Sequence, residues 1–157
     1  MNKFGLATIL ENKPVGYEFY DNNIPLHITH IDSFHMELEP DELDTKLKQL
    51  FIGQKAISTV VKNVTNYGPD KNIPVAELTL TDELSHFHDN LISFLEQEGA
   101  VFKRPHFLNR GFKPHVTEIP NIKLFEGEVV TIRSISIATK ETIDIRPKTK
   151  IFSTISF

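Results

Sequence analysis

The chain has 157 residues, 39% of them hydrophobic and 24% charged, a composition that builds one globular domain around a sizeable core. Its formal net charge of −4 argues against a protein that coats DNA or RNA, because gripping the backbone takes a basic excess. There is no cysteine, so thiol nucleophiles, thiolate metal sites and disulfides are excluded, and a reducing, cytoplasmic setting is expected.

The opening "MNKFGLATILENK" carries an apolar run behind one lysine but no small-residue cleavage site, and reads as a first strand. No run approaches the roughly 18 apolar residues of a membrane span. Strands are predicted over residues 4–10 and 15–20, then over 24–31 after the turn Asp21-Asn22-Asn23. A helix over 41–51 follows, with Leu43, Leu47, Leu50 and Phe51 at helical spacing and Pro40, Asp41 and Glu42 suited to its first turn. The β-branched run "ISTVVKNVTNY" ends at the turn Gly68-Pro69-Asp70, and 73–80 returns as a strand. Thr81 can cap a second helix with the stripe Leu84, Phe87, Leu91, Phe94 and Leu95, stopped by Gly99. A loop, a short strand at His115 and strands over 129–139 and 151–157 complete an α+β fold. Strands, a helix and a His-x-Thr strand in each half suggest a single domain, 1–157, of two related lobes with a cleft between their sheets.

"PLHITHI" sets His27 and Thr29 on one face of a strand and Ile28 on the other; "PHVTE" repeats this with His115, Thr117 and Val116. Two imidazoles and two hydroxyls facing one cleft suit phosphodiester cleavage. A neutral histidine takes a proton from the attacking water or ribose 2′-OH, and a protonated one gives a proton to the departing oxygen. Imidazole serves both roles because its ordinary pKa of about 6.5 lies near working pH. The threonines can donate to the non-bridging phosphate oxygens. The scheme needs no metal or other cofactor.

The segment "FKRPHFLNRGFKPH" brings Lys103, Arg104, Arg110 and Lys113 ahead of the second motif. These are candidate phosphate contacts, Arg110 and Lys113 first by closeness to His115, and Phe102, Phe107 or Phe112 could stack on a base. The plainer alternative is a solvated loop whose phenylalanines anchor it in the core. Tyr67, at a strand end, is a further binding candidate. His86 and His88, two apart on a helix, do not face each other and are expected outward or capping. His30, His35 and His106 stand alone, and no metal site is expected.

"LHIT" and "FKPHVTEI" resemble the paired motifs of the two-histidine (2H) phosphoesterase superfamily, which includes bacterial 2′-5′ RNA ligase-like proteins and 2′,3′-cyclic phosphodiesterases. "ELSHFHDNL", "GFKPHVT" and "VVTIRSISIATK" resemble that superfamily's helix between the motifs, its approach to the second motif and the strand that follows. The resemblance implies a bilobal fold with two antiparallel sheets lining a central cleft and helices outside. It also implies metal-independent phosphodiester chemistry on nucleotides or RNA ends, carried by His27, Thr29, His115 and Thr117. His30 and Glu118 stand where the superfamily usually has hydrophobic residues, so altered packing or a partly exposed back face is expected. Three functions stay open: cleavage of a 2′,3′-cyclic phosphate end or small oligonucleotide; 2′-5′ joining of RNA ends or cleavage of cyclic oligonucleotides; and a module that binds phosphorylated ends without turnover. The expected partner is a nucleotide or short RNA, with no membrane, and the protein is expected to be a monomer.

Overall fold

The computed structural model describes residues 1–143 and 146–157. The chain runs through β1 (Asn2–Ile9), β2 (Glu18–Tyr20), β3 (His27–Met36), α1 (Pro40–Leu50), β4 (Ile57–Tyr67), β5 (Ile73–Leu78), α2 (Asp82–Gln97), β6 (Val101–Phe102), β7 (His115–Thr117), β8 (Val129–Ile132), β9 (Ser134–Ile143) and β10 (Arg146–Ser156). Among the described residues no helix is long and apolar enough to cross a membrane.

The strands pair antiparallel in the order β2-β10-β9-β1-β3-β7-β5-β4-β8, with β6 beside β3. The two antiparallel sheets expected from the sequence are therefore joined into one path. They meet between β3 and β7 at a single residue pair, Ile28↔Val116. The strand predicted over 129–139 breaks at Arg133: β8 pairs with β4 on one side of the molecule, and β9 pairs with β1 and β10 on the other.

Both helices cover one face of the sheet. In α1, Pro40 opens the first turn, Leu43 and Leu47 are buried, and the following Phe51 stacks on Phe87 of α2. Leu50, expected on the apolar stripe, is largely exposed instead. Thr81 caps α2 as predicted, its Oγ1 accepting the Leu84 N–H at 3.1 Å. At the other end Gly99 takes φ +84°, and the Ala100 and Gly99 N–H groups bond back to the carbonyls of Leu95 and Glu96. This reversal needs a left-handed residue, which explains the glycine. The helices thus seal Phe4, Ile28, Phe34, Leu84, Leu91 and Val116 into a continuous core and leave the opposite face of β3 and β7 open.

Candidate active site

Ile28 and Val116 are the middle residues of the two His-x-Thr motifs, both are fully buried, and they are each other's partner in an antiparallel pair. That register alone fixes what faces the other way. His27 stands opposite Thr117 and Thr29 opposite His115, so the four polar side chains form a two-by-two array on the open face. The array is framed by Ile9 and Ala7 of β1 on one side and by Val75 and Glu77 of β5 on the other.

The two imidazoles are held alike. His27 Nδ1 lies 2.7 Å from the carbonyl of Pro25, and His115 Nδ1 lies 2.8 Å from the carbonyl of Lys113, in each case two residues back along the chain. A carbonyl can only accept, so Nδ1 carries the hydrogen and the neutral ring offers its lone pair at Nε2. Burial pushes the His27 pKa down, and the charges of His115 and Lys140 add to this against the Pro25 carbonyl. His27 is therefore held in the form able to accept a proton.

Three residues of the array, His27, Thr29 and His115, line a groove with two arms that share Thr29, Ile31 and Asp32; Thr117 sits beside His27 in the register but lines neither arm. The larger arm, about 340 Å³, contains His115 and is walled by Tyr67, Phe102, Arg104, Phe107 and Lys113. The smaller, about 200 Å³, contains His27, Ser136 and Lys140. Tyr67 presents a ring edge to His115 at 5.0 Å between centroids, and its hydroxyl donates to Glu77 Oε2 at 2.6 Å. Among the described residues, no three His, Asp or Glu side chains converge as a metal cage would require.

The structure sorts the other candidates. Arg104 and Lys113 line the groove, and Arg104 Nη1 also reaches Asp32 at 3.2 Å. Arg110 does not: it sits exposed on the tight turn Asn109–Gly111, and neither arm includes it. That turn admits only glycine at its end, because a Cβ on Gly111 would collide with the His106 carbonyl. Phe112, expected to be free to stack on a base, touches the groove but is buried, with one face flat against His88 at 3.9 Å between centroids.

His86 is exposed, as expected, but His88 is not an outward or capping residue. It is buried on the inner face of α2, where its Nε2 accepts the Asn109 N–H at 3.1 Å and so fastens the basic loop. Burial pushes its pKa down to about 4; the His30 carbonyl lies near Nδ1 without completing a hydrogen bond. His30 points away from the groove as its position predicts, and of the two outcomes expected for the back face it shows altered packing, a sealed imidazole in the core, while Glu118 is half-buried. His30 Nε2 lies 2.6 Å from Thr8 Oγ1, whose own hydrogen goes to the Ser134 carbonyl. His30 is thus the donor, and neutral at Nδ1. Sequence reasoning missed Asp32 and Lys140 as groove residues, and Glu77 as the acceptor that holds Tyr67 beside His115. The alternation in "SISIATK" carried a signal for Lys140, since Ser136, Ala138 and Lys140 share the face opposite the buried Ile135 and Ile137.

A family model described as the 2′-5′ RNA ligase superfamily matches residues 12–127, a span that includes both motifs, and the chain belongs to that superfamily. No curated protein matches the chain by sequence. Among solved structures, TT0787 of Thermus thermophilus is 16% identical with a TM-score of 0.58, the alignment covering 98% of this chain and 97% of that one. Escherichia coli LigT complexed with 3′-AMP is 13% identical with a TM-score of 0.57 over 99% of this chain and 98% of its own. A structure titled simply as a phosphoesterase is 12% identical with a TM-score of 0.56 over 99% and 98%. At these identities the likeness is one of fold, and the fold is the α+β arrangement of the 2H phosphoesterases.

Proposed function

We propose that the protein is a phosphodiesterase that cleaves nucleotide or short RNA phosphodiesters by two-histidine acid–base catalysis. One observation carries the reading. The Ile28↔Val116 pair sets two imidazoles, each tied at Nδ1, and two hydroxyls into one array on the open face of the sheet, with His27, Thr29 and His115 lining the groove. A phosphate over that array meets a Thr hydroxyl beside each imidazole.

His27, held neutral by its surroundings, takes the proton from the attacking water or ribose 2′-OH as the new P–O bond forms. His115, protonated at Nε2, gives its proton to the departing oxygen as the old P–O bond breaks. Thr29 and Thr117 donate to the non-bridging oxygens, whose charge redistributes in the transition state. The aromatic wall of the larger arm, Tyr67 with Phe102 and Phe107, supplies the surface on which a base would stack. The LigT structures complexed with 3′-AMP, NADP+ and ATP show that this fold accommodates nucleotides in a distant relative, which supports a nucleotide substrate here.

The test is an activity screen on EDTA-treated protein covering cyclic mononucleotides, RNA with 2′,3′-cyclic phosphate ends, 2′-5′ oligoadenylate and cyclic oligonucleotides. Turnover is expected without added metal, and His27→Ala or His115→Ala should each lower it by about 10² to 10⁴. Full activity in either variant refutes the assigned role. Activity lost to EDTA and restored by a metal ion refutes the metal-free scheme.

A further inference from the structure

Lys140 belongs to neither motif and exchanges no proton in the acid–base scheme, yet the fold makes room for it in the smaller arm of the groove. It stands on β9, and its side chain crosses over β1 to reach β3. The crossing depends on Gly5, where a Cβ would come within 3.1 Å of Lys140 Cε and 3.4 Å of Nζ. Past Gly5, Nζ donates to Ser33 Oγ at 2.9 Å and lies 3.8 Å from Asp32 Oδ1. Arg104 approaches the same carboxylate from the other arm, with Nη1 3.2 Å from Oδ2. One carboxylate is therefore shared by two cations, and Lys3 and Lys103 add further positive charge around Lys140.

A single cation would neutralise Asp32. The second leaves a net positive charge in a partly desolvated groove, a cost that an incoming anion relieves. Asp32 lines both arms, so this surplus sits beside Thr29 and next to the position of the reacting phosphate. A flat guanidinium and a point-charge ammonium at one spot are the donors that phosphate oxygens take best.

We infer that Lys140 and Arg104 form a second phosphate subsite, so that the substrate carries at least one phosphate besides the diester that is cleaved: a short oligonucleotide, or a nucleotide bearing a phosphomonoester. The inference rests on the phosphodiesterase reading above and refines its substrate class.

The test compares substrates in pairs, each with and without the extra phosphate: a dinucleoside monophosphate against its 5′-phosphorylated form, in 2′-5′ and 3′-5′ linkage, and adenosine 2′,3′-cyclic phosphate against its 5′-phosphorylated form. In at least one pair kcat/KM should favour the phosphorylated member by about tenfold to a hundredfold, as expected for one charge-assisted contact. Lys140→Met should bring that ratio close to one and reduce the salt dependence of KM by about one ion. Gly5→Val, which keeps the lysine but blocks its path, should act in the same direction; if that variant does not fold, the Lys140→Met ratio decides alone. A wild-type ratio near one in every pair, or a ratio unchanged by Lys140→Met, overturns the subsite. If no phosphodiester turns over, the functional reading fails by itself, and the subsite is judged by calorimetry of adenosine 3′,5′-bisphosphate against 3′-AMP. Binding at least tenfold tighter for the bisphosphate, lost in Lys140→Met, upholds the subsite, and equal affinities in the wild type overturn it.

Discussion

Lowering the pH should destabilise this fold through His30, well above the range in which carboxylates titrate. His30 is sealed on the back face of β3, donates from Nε2 to Thr8 and has its pKa pushed down to about 3 by burial, with the charges of His88 and His27 adding to the effect. In the unfolded chain the same imidazole titrates near its ordinary value of about 6.5. The folded pKa is the lower one, so the unfolded state binds the extra proton. Stability is complete above about pH 6.5 and is lost as pH falls toward the folded value. At ~1.36 kcal/mol per unit, the ~1.5 units between 6.5 and 5 cost about 2 kcal/mol at pH 5. That is a sizeable part of the roughly 5–15 kcal/mol that holds a domain together. Urea unfolding at pH 8, 7, 6 and 5 measures it, with His30→Gln as the control because glutamine keeps an N–H for Thr8 and does not titrate. The wild type should lose about 2 kcal/mol more than the variant between pH 8 and 5. Parallel pH profiles would refute the reasoning, because they would mean that His30 takes up its proton in the folded state.

Further outcomes follow from the same contacts. Ile28→Ala should cost about 2–5 kcal/mol, read from urea curves, because Ile28 is fully buried and is half of the only pair between β3 and β7. Thr81→Ala should cost about 1 kcal/mol by removing the Oγ1 acceptor of the Leu84 N–H, with no change in substrate affinity. Tyr67→Phe keeps the ring edge against His115 and loses only the bond to Glu77, so kcat/KM should fall less than about tenfold. Tyr67→Ala also removes a wall of the larger arm, and steady-state kinetics should show KM raised further than in Tyr67→Phe. The rate should follow a bell-shaped pH curve, because one imidazole must be neutral while the other is charged, with its acidic limb displaced downward as the His27 pKa is.

The sequence determined what depends on neighbours along the chain. Alternation placed His27 with Thr29 and His115 with Thr117, capping chemistry placed Thr81, and the need for a left-handed residue placed Gly99. These assignments hold because strand and helix periodicity act over a few residues, whatever the rest of the molecule does. Tertiary structure decided what depends on partners far away. β6 is only two residues long and exists because β3 offers it Phe34 and His35; the break at Arg133 exists because β8 and β9 serve opposite sides of the sheet. Arg110 was chosen for nearness in sequence to His115, but a tight turn carries it out of the groove, while Arg104, further away along the chain, is brought in by β3 and Asp32. His88 looked like an outward or capping group and proved to be buried against Phe112, which anchors the loop as the plainer reading of its phenylalanines had it. The site itself divides the same way. Each motif alone specifies one imidazole and one hydroxyl on a face, and only the antiparallel pairing of Ile28 with Val116 makes the two faces one, with Gly5 leaving the gap through which Lys140 joins them.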